Sequence, residues 1–401
     1  MESKRNRYLS LAACMLMGVA IGFVVAYLSL SGVPAQGGIR EEVLQGTEKY
    51  QEIMTLVDNY YIGDDVDMTQ VNDTMAAGVI AGLGDRWSYY VPAAEYQAFQ
   101  NNIDNAMVGV GITITAAYDE AGGIMGYEIT EVISGGPAEA AGVMAGDILI
   151  AVERQSIAGM SVTEVKTMVQ GEEGTQVLLG LQRGDATVNL SVSRETFTII
   201  PAKGMMLDGD VGYIIIENFD AGCYEAVKGY VEELTAQGAE SLLFDVRNNG
   251  GGLKSELIDL LDYLLPEGTI FHTVNYAGEE EISKSDASCI DMPMAVLVNS
   301  SSYSAAEYFA CAIQEYGVGK VIGSKTTGKG YYQLGMALSD GSAVNLSIGK
   351  YYTPSGISLI DVGVTPDVEL DLTNEDAILL AQKKLSPTDD PQIQAALGCL
   401  K

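Results

Sequence analysis

Hydrophobic and polar positions fall into successive regimes along the chain. Leu9 to Leu30 is an apolar run inside an uncharged stretch from Tyr8 to Ile39, long enough to cross a bilayer as a helix. Residues 41–103 place apolar side chains at helical spacing, with helices predicted at Tyr50–Tyr61 and Met75–Leu83. From Met107 to Phe197 short strands separated by glycine turns take over. Strands are predicted at Gly109–Ile114, Tyr127–Ile133, Asp147–Val152, Val177–Gln182 and Ala186–Val192, with a helix at Ser161–Gln170 capped by its serine. From Gly212 onward the strands Tyr213–Glu217, Ser241–Val246 and Met294–Val298 alternate with helices Glu225–Gln237, Ser255–Leu265 and Ser304–Tyr316. Ser241–Val246 is mostly apolar, as suits a strand buried on both faces. This alternation predicts an α/β core with a mixed, largely parallel sheet.

Five segments follow: 1–38, a cytoplasmic stub, transmembrane anchor and linker; 39–105, a helical region; 106–197, an inserted α+β domain; 198–372, the core; and 373–401, a short polar tail expected to be peripheral. Lys4, Arg5 and Arg7 precede the apolar run, which orients the N-terminus to the cytoplasm and everything after the anchor outside it. A cleavable signal peptide is the competing reading, but Val33-Pro-Ala35 is a poor cleavage site. The expectation is a single-pass cell-membrane protein with an extracytoplasmic working part.

Composition narrows the function. The formal net charge is -32. Binding phosphate backbones needs clustered Lys and Arg, so nucleic acid is not an expected partner. The five cysteines contain no C-x-x-C pair, so neither a zinc site nor a disulfide framework is suggested, and mostly buried free thiols are expected.

The candidate chemistry centres on a serine and a lysine 25 residues apart, in a chain whose only histidine is His272. Ser304 follows a buried strand and opens a helix, where backbone amides point at developing negative charge. The plainer reading is a helix cap, a role that Ser300, Ser301 and Ser302 fill equally well. Lys329 lies between Gly328 and Gly330, and burial could lower its pKa enough to make it a base. The plainer reading there is a solvated loop lysine. Gln333, four residues on, could orient the amine. Asp245-Val-Arg-Asn-Asn-Gly-Gly-Gly252 joins strand to helix, and its glycines allow an anion-binding nest, with Asp245 and Arg247 pairing to brace the turn.

Two resemblances join these pieces. Residues 106–197 resemble a PDZ domain, carried by Gly136-Pro-Ala-Glu-Ala-Ala-Gly142 with the following Gly146-Asp-Ile-Leu-Ile150, and by Val108-Gly-Val-Gly-Ile112. Nearly the whole chain after the anchor resembles the C-terminal processing peptidases, or tail-specific proteases. The family's Asp-Leu-Arg-x-Asn-Pro-Gly-Gly element matches Asp245–Gly252. Its nucleophile element matches Ser302-Tyr-Ser-Ala-Ala-Glu307, its Gly-Lys-Gly element matches Gly328–Gly330, and its orienting glutamine falls on Gln333. Tyr351-Tyr-Thr-Pro-Ser-Gly356, Val364-Thr-Pro-Asp367 and Leu83-Gly-Asp-Arg-Trp-Ser88 match further segments. The chain departs from the family at Gly250, where a proline is expected, and at Tyr303 and Ala306, which replace a small residue and a serine.

The resemblance implies a serine peptidase. Ser304 would be nucleophile, Lys329 its base and Gln333 the orienting group. The amides of Ala305 and of Gly251, or a glycine one position away, would hold the oxyanion. No metal or cofactor is asked for. It also implies recognition of protein C-termini by Gly109, Val110, Gly111 and Ile112 in the PDZ region, the helix Ser161–Gln170 forming the other wall. A homo-oligomer or a regulatory partner stays open. Two alternatives stand beside it: a catalytically inactive PDZ scaffold that binds chain ends at the membrane, and a hydrolase pairing serine with His272.

Overall fold

A computed structural model describes residues 39–63, 65–119 and 122–400. The expected anchor at Leu9–Leu30, the linker and Cys14 lie outside the described residues. Among the described residues no helix is long and apolar enough to cross a membrane. The chain divides into two units at Asn72/Asp73.

In the first unit Ile39–Tyr60 is one continuous helix. Within this unit the Tyr50 hydroxyl donates to Asn72 Oδ1 at 2.8 Å.

Among the described residues the second unit holds three larger sheets and one two-stranded sheet. The central one orders its strands Ala202–Leu207, Val211–Ile216, Ser241–Asp245, Met294–Val298, Gly319–Gly323 and Val368–Glu369. All neighbours run parallel except the first pair. The predicted core strands therefore form the largely parallel sheet. Ser241–Asp245 is buried throughout, and its side chains alternate between two cores. Leu242 and Phe244 join the helices Cys223–Ala236, Lys254–Leu264 and Ala305–Glu315 on one face, while Leu243 meets Ile393 and Ala396 on the other. The polar tail is thus not peripheral. Its last helix, Pro391–Cys399, is capped by Asp390 and closes the second face of the central sheet.

A second, antiparallel sheet stands beside the first: Tyr89–Val91, Ala343–Tyr352, Gly268–Asn275 and Glu280–Ser285, with Tyr331–Ala337 also paired to Ala343–Tyr352. The hydrophobic pattern missed it because Glu280–Ser285 and Tyr331–Ala337 are largely exposed and do not read as core strands.

The inserted domain is a five-strand antiparallel path, Ile112–Tyr118, Ile124–Val132, Ile148–Val152, Gln176–Arg183 and Ala186–Ser193, closed by the helix Val162–Val169. It has its own core, which includes Ile129, Leu149, Val165 and Leu179. Ser161 caps its helix in a reciprocal capping box with Glu164, as its position predicted. The predicted strand Gly109–Ile114 is broken at Gly111, whose φ of +78° suits glycine. The two chain crossings form a neck: Ala106–Gly109 pairs antiparallel with Glu195–Thr198. Four free cysteines are described, Cys223 and Cys311 buried but Cys289 and Cys399 exposed, so burial is less general than expected.

Candidate active site

Ser304 sits where the buried strand Met294–Val298 gives way to the helix Ala305–Glu315. It occupies the N-cap position, yet its side chain makes no capping hydrogen bond. Its backbone is left-handed, φ 60° and ψ -125°, a strained conformation for a residue with a Cβ. Ser302 carries the local turn instead: its hydroxyl donates to the Val246 carbonyl at 2.7 Å and accepts from the Asn299 amide. The Ser304 hydroxyl is left for the cavity it lines, a recess of about 50 Å³ shared with Gly252, Lys254, Leu257, Phe271 and Tyr332. The buried Tyr351 lines the same recess, and its phenol donates to the Lys329 carbonyl at 3.2 Å.

Lys329 is only 8% exposed, so the solvated-loop reading fails. Burial lowers its pKa to about 8, against the opposing pull of Asp85 and Glu307. Its ammonium lies 4.9 Å from the Trp87 ring centroid and 6.0 Å from that of Tyr303. Among the described residues no hydrogen bond is made by Lys329 Nζ, to Ser304 or to any other group.

Glu307 holds the lysine's loop. This fully buried carboxylate accepts from the Gly328 amide at 2.7 Å, the Lys329 amide at 3.0 Å and the Thr326 hydroxyl. Burial raises its pKa while these donors oppose the rise. Asp85 accepts from the Ser88 hydroxyl at 2.6 Å and the Trp87 amide at 3.0 Å, and hydrogen bonds keep its pKa low despite burial. Gln333 donates to Ser347 Oγ at 3.0 Å and to the Tyr331 carbonyl at 3.3 Å. The Ser347 amide donates to Ser88 Oγ at 2.9 Å and the Ser88 hydroxyl donates to Asp85, so the glutamine reaches Asp85 through two serines and makes no direct bond to Lys329.

The glycine turn is stitched down on both sides. Arg247 donates to Asp245 at 2.6 Å, to Asp390 at 2.7 Å and to Gln392 at 2.8 Å, all these groups being buried. The predicted Asp245–Arg247 brace is therefore present, with two further acceptors from the C-terminal segment. Asn249 donates to the Ile216 carbonyl and accepts from the Gly251 amide at 2.8 Å. That amide is thus engaged inside the turn, and Gly252 is the glycine that shares the recess with Ser304 and Ala305. Gly251 has φ +91°, and a Cβ there would stand 2.6 Å from Ser304 Cβ and 2.8 Å from the Ala305 amide.

His272 lies on another face. Its neighbour Phe271 lines the Ser304 recess, and strand side chains alternate. The imidazole is tilted against Tyr352 at 5.3 Å, with Glu280 3.7 Å away. The serine–histidine alternative has no geometric basis.

In the inserted domain Gly109, Val110, Gly111 and Ile112 line one cavity of about 340 Å³, with Lys166, Val169 and Gln170 on its far wall. Sequence reasoning assigned no part to Asp85, Glu307 or Tyr351. One of them was visible: Glu307 is an acid inside the otherwise apolar run Ala305–Ile313.

Residues 210–370 match peptidase family S41, and residues 128–183 match a PDZ domain. The carboxy-terminal processing protease CtpA of Bacillus subtilis is 31% identical over 326 residues, covering 80% of this chain and 68% of its own. A chloroplastic C-terminal processing peptidase of Tetradesmus obliquus is 32% identical over 311 residues, covering 73% of this chain and 66% of its own. A solved S41 protease from Bacteroides fragilis, 17% identical, shares the fold at a TM-score of 0.55, covering 84% of this chain and 91% of its own. The chain belongs to peptidase family S41, the carboxy-terminal processing serine peptidases, and carries a PDZ domain inserted ahead of the core.

Proposed function

We propose that this chain is a membrane-anchored, extracytoplasmic endopeptidase that grips a protein by its C-terminus and cleaves near it with a Ser304/Lys329 pair. The observation that carries the reading is the state of Ser304: an N-cap serine that does not cap, held at positive φ and facing a recess whose Tyr351 also bonds the backbone of a desolvated lysine. Neutral Lys329 takes the hydroxyl proton as Ser304 attacks the peptide carbonyl, then returns a proton to the leaving amine; water hydrolyses the acyl-enzyme. Oxyanion donors are the Ala305 amide, at the start of its helix, and a glycine amide of the turn. Gly252 suits this better than Gly251, whose amide is bonded to Asn249. Gln333 acts through Ser347 and Ser88 on Asp85.

Substrate selection falls to the PDZ cavity. An extended chain end adds beside Ile112–Tyr118, its terminal carboxylate at Gly109–Ile112 and its last side chain towards Val169. The anchor and the outside location rest on the apolar run and the charges before it.

The test is hydrolysis of an unfolded protein, with and without an apolar C-terminal tail, by the purified full chain. Tail-dependent cleavage is expected, lost in both Ser304→Ala and Lys329→Ala. Tail binding with no turnover under any condition would leave the scaffold alternative in its place.

A further inference from the structure

The surroundings of Lys329 contain more than the serine–lysine pair requires. The ammonium lies over the rings of Trp87 and Tyr303, which are themselves in tilted contact at 5.4 Å. The Arg86 guanidinium lies over the same indole at 4.2 Å. Tyr303 reaches this place because of Gly250: a Cβ there would stand 2.7 Å from the Tyr303 hydroxyl. The charged and titratable groups around the lysine come from every packed element. Asp85 and Arg86 are on the turn, Glu307 on the helix and Tyr351 on the second sheet. Asp361 is on the loop packed against Gly328. Asp85 and Glu307 favour the charged amine, burial disfavours it, and aromatic faces attract an ammonium but not a neutral amine.

We propose that Trp87 and Tyr303 are positioning residues, forming an aromatic cleft in which the Lys329 ammonium is parked, off the serine hydroxyl, and from which it must move to act. The proposal rests on the serine–lysine reading above. On it, the resting site holds its base in the wrong protonation state and the wrong place. Deprotonation removes the attraction to both rings and to Asp85, releasing the amine towards Ser304. Loss of the charge and gain of the base position are then one event.

Trp87 is the only tryptophan in the chain, so its emission reports on this cleft directly. In the full chain a pH titration of Trp87 fluorescence is expected to show a transition near pH 8, coincident with the acidic limb of kcat/KM, and the transition is expected to vanish in Lys329→Met. Tyr303→Leu keeps the cleft dry but removes one ring. It is expected to move both transition and limb about half a pH unit lower, which at pH 7 raises turnover about 2.5-fold. Gly250→Ala, which displaces the Tyr303 hydroxyl without altering that residue, is expected to move both in the same direction. No emission transition in the parent, or one that neither variant shifts, would overturn the parking. A chain that cleaves with dependence on Ser304 and Lys329 but shows no shift would lose the parking and keep the peptidase. A chain that never cleaves, yet shows the shifted transitions, would keep the parking and lose the peptidase.

Discussion

At the scale of single residues, the site depends on where a Cβ can be tolerated. Gly251 combines φ +91° with backbone and Ser304 Cβ close at hand, neither of which can swing aside. Gly251→Ala is expected to lower kcat about a hundredfold, the usual loss for a spoiled oxyanion site, with the chain still folded by circular dichroism; unchanged kcat would mean that the turn does not shape the reacting centre. Ser304 and Lys329 were singled out in sequence by the family resemblance, because locally Ser300, Ser301 and Ser302 serve equally as caps and a lysine between glycines reads equally as a loop residue. Their state was not legible. Whether Ser304 caps its helix, and whether Lys329 is dry, depend on Ser302, Tyr351, Trp87 and Glu307, which meet only after folding.

At the scale of elements, the C-terminal helix governs the glycine turn although it lies outside the recess. Asp390 and Gln392 take both free hydrogen-bonding directions of Arg247 Nη1, and Arg247 with Asp245 forms the stem from which Asn249–Gly252 projects. Removing one partner of a buried charge costs about 3–5 kcal/mol. Asp390→Ala is therefore expected to lower the melting temperature by several degrees, and kcat should fall with little change in KM. A loss of stability alone would make the clamp merely structural. This segment read as a polar tail because Lys383, Lys384 and the run Ser386–Asp390 dominate it. The overlooked signal was Asp390-Pro391, a cap followed by proline at the first helical position, ahead of Ile393 and Ala396 at helical spacing. The second sheet escaped for the opposite reason, since its half-exposed strands offer no apolar run to detect.

At the scale of the whole molecule, the succession of helices, inserted antiparallel sheet and largely parallel core was readable because the hydrophobic period changes between them, and the parallel core followed from strands buried on both faces. The seat of the PDZ domain on the core was not readable. It includes a chain of ion pairs: Glu131 to Lys203 at 2.8 Å, Lys203 to Glu217 at 3.7 Å, and Glu217 to Lys383 at 2.8 Å. These half-exposed pairs contribute little energy singly. The neck is the firmer connection. Replacing residues 110–194 with an Asn-Gly turn should close Gly109 against Glu195 as an ordinary hairpin, because the two already face each other in register. The shortened chain is expected to fold and to cleave unfolded protein at similar rates with and without an apolar tail; retained tail preference would place recognition elsewhere. Because the domain leaves and rejoins the core through one antiparallel pair, a module of the same neck geometry could be exchanged there while the strand order of the core stays as it is. On the function proposed above, specificity and chemistry would then be separable at two facing backbone positions, Gly109 and Glu195.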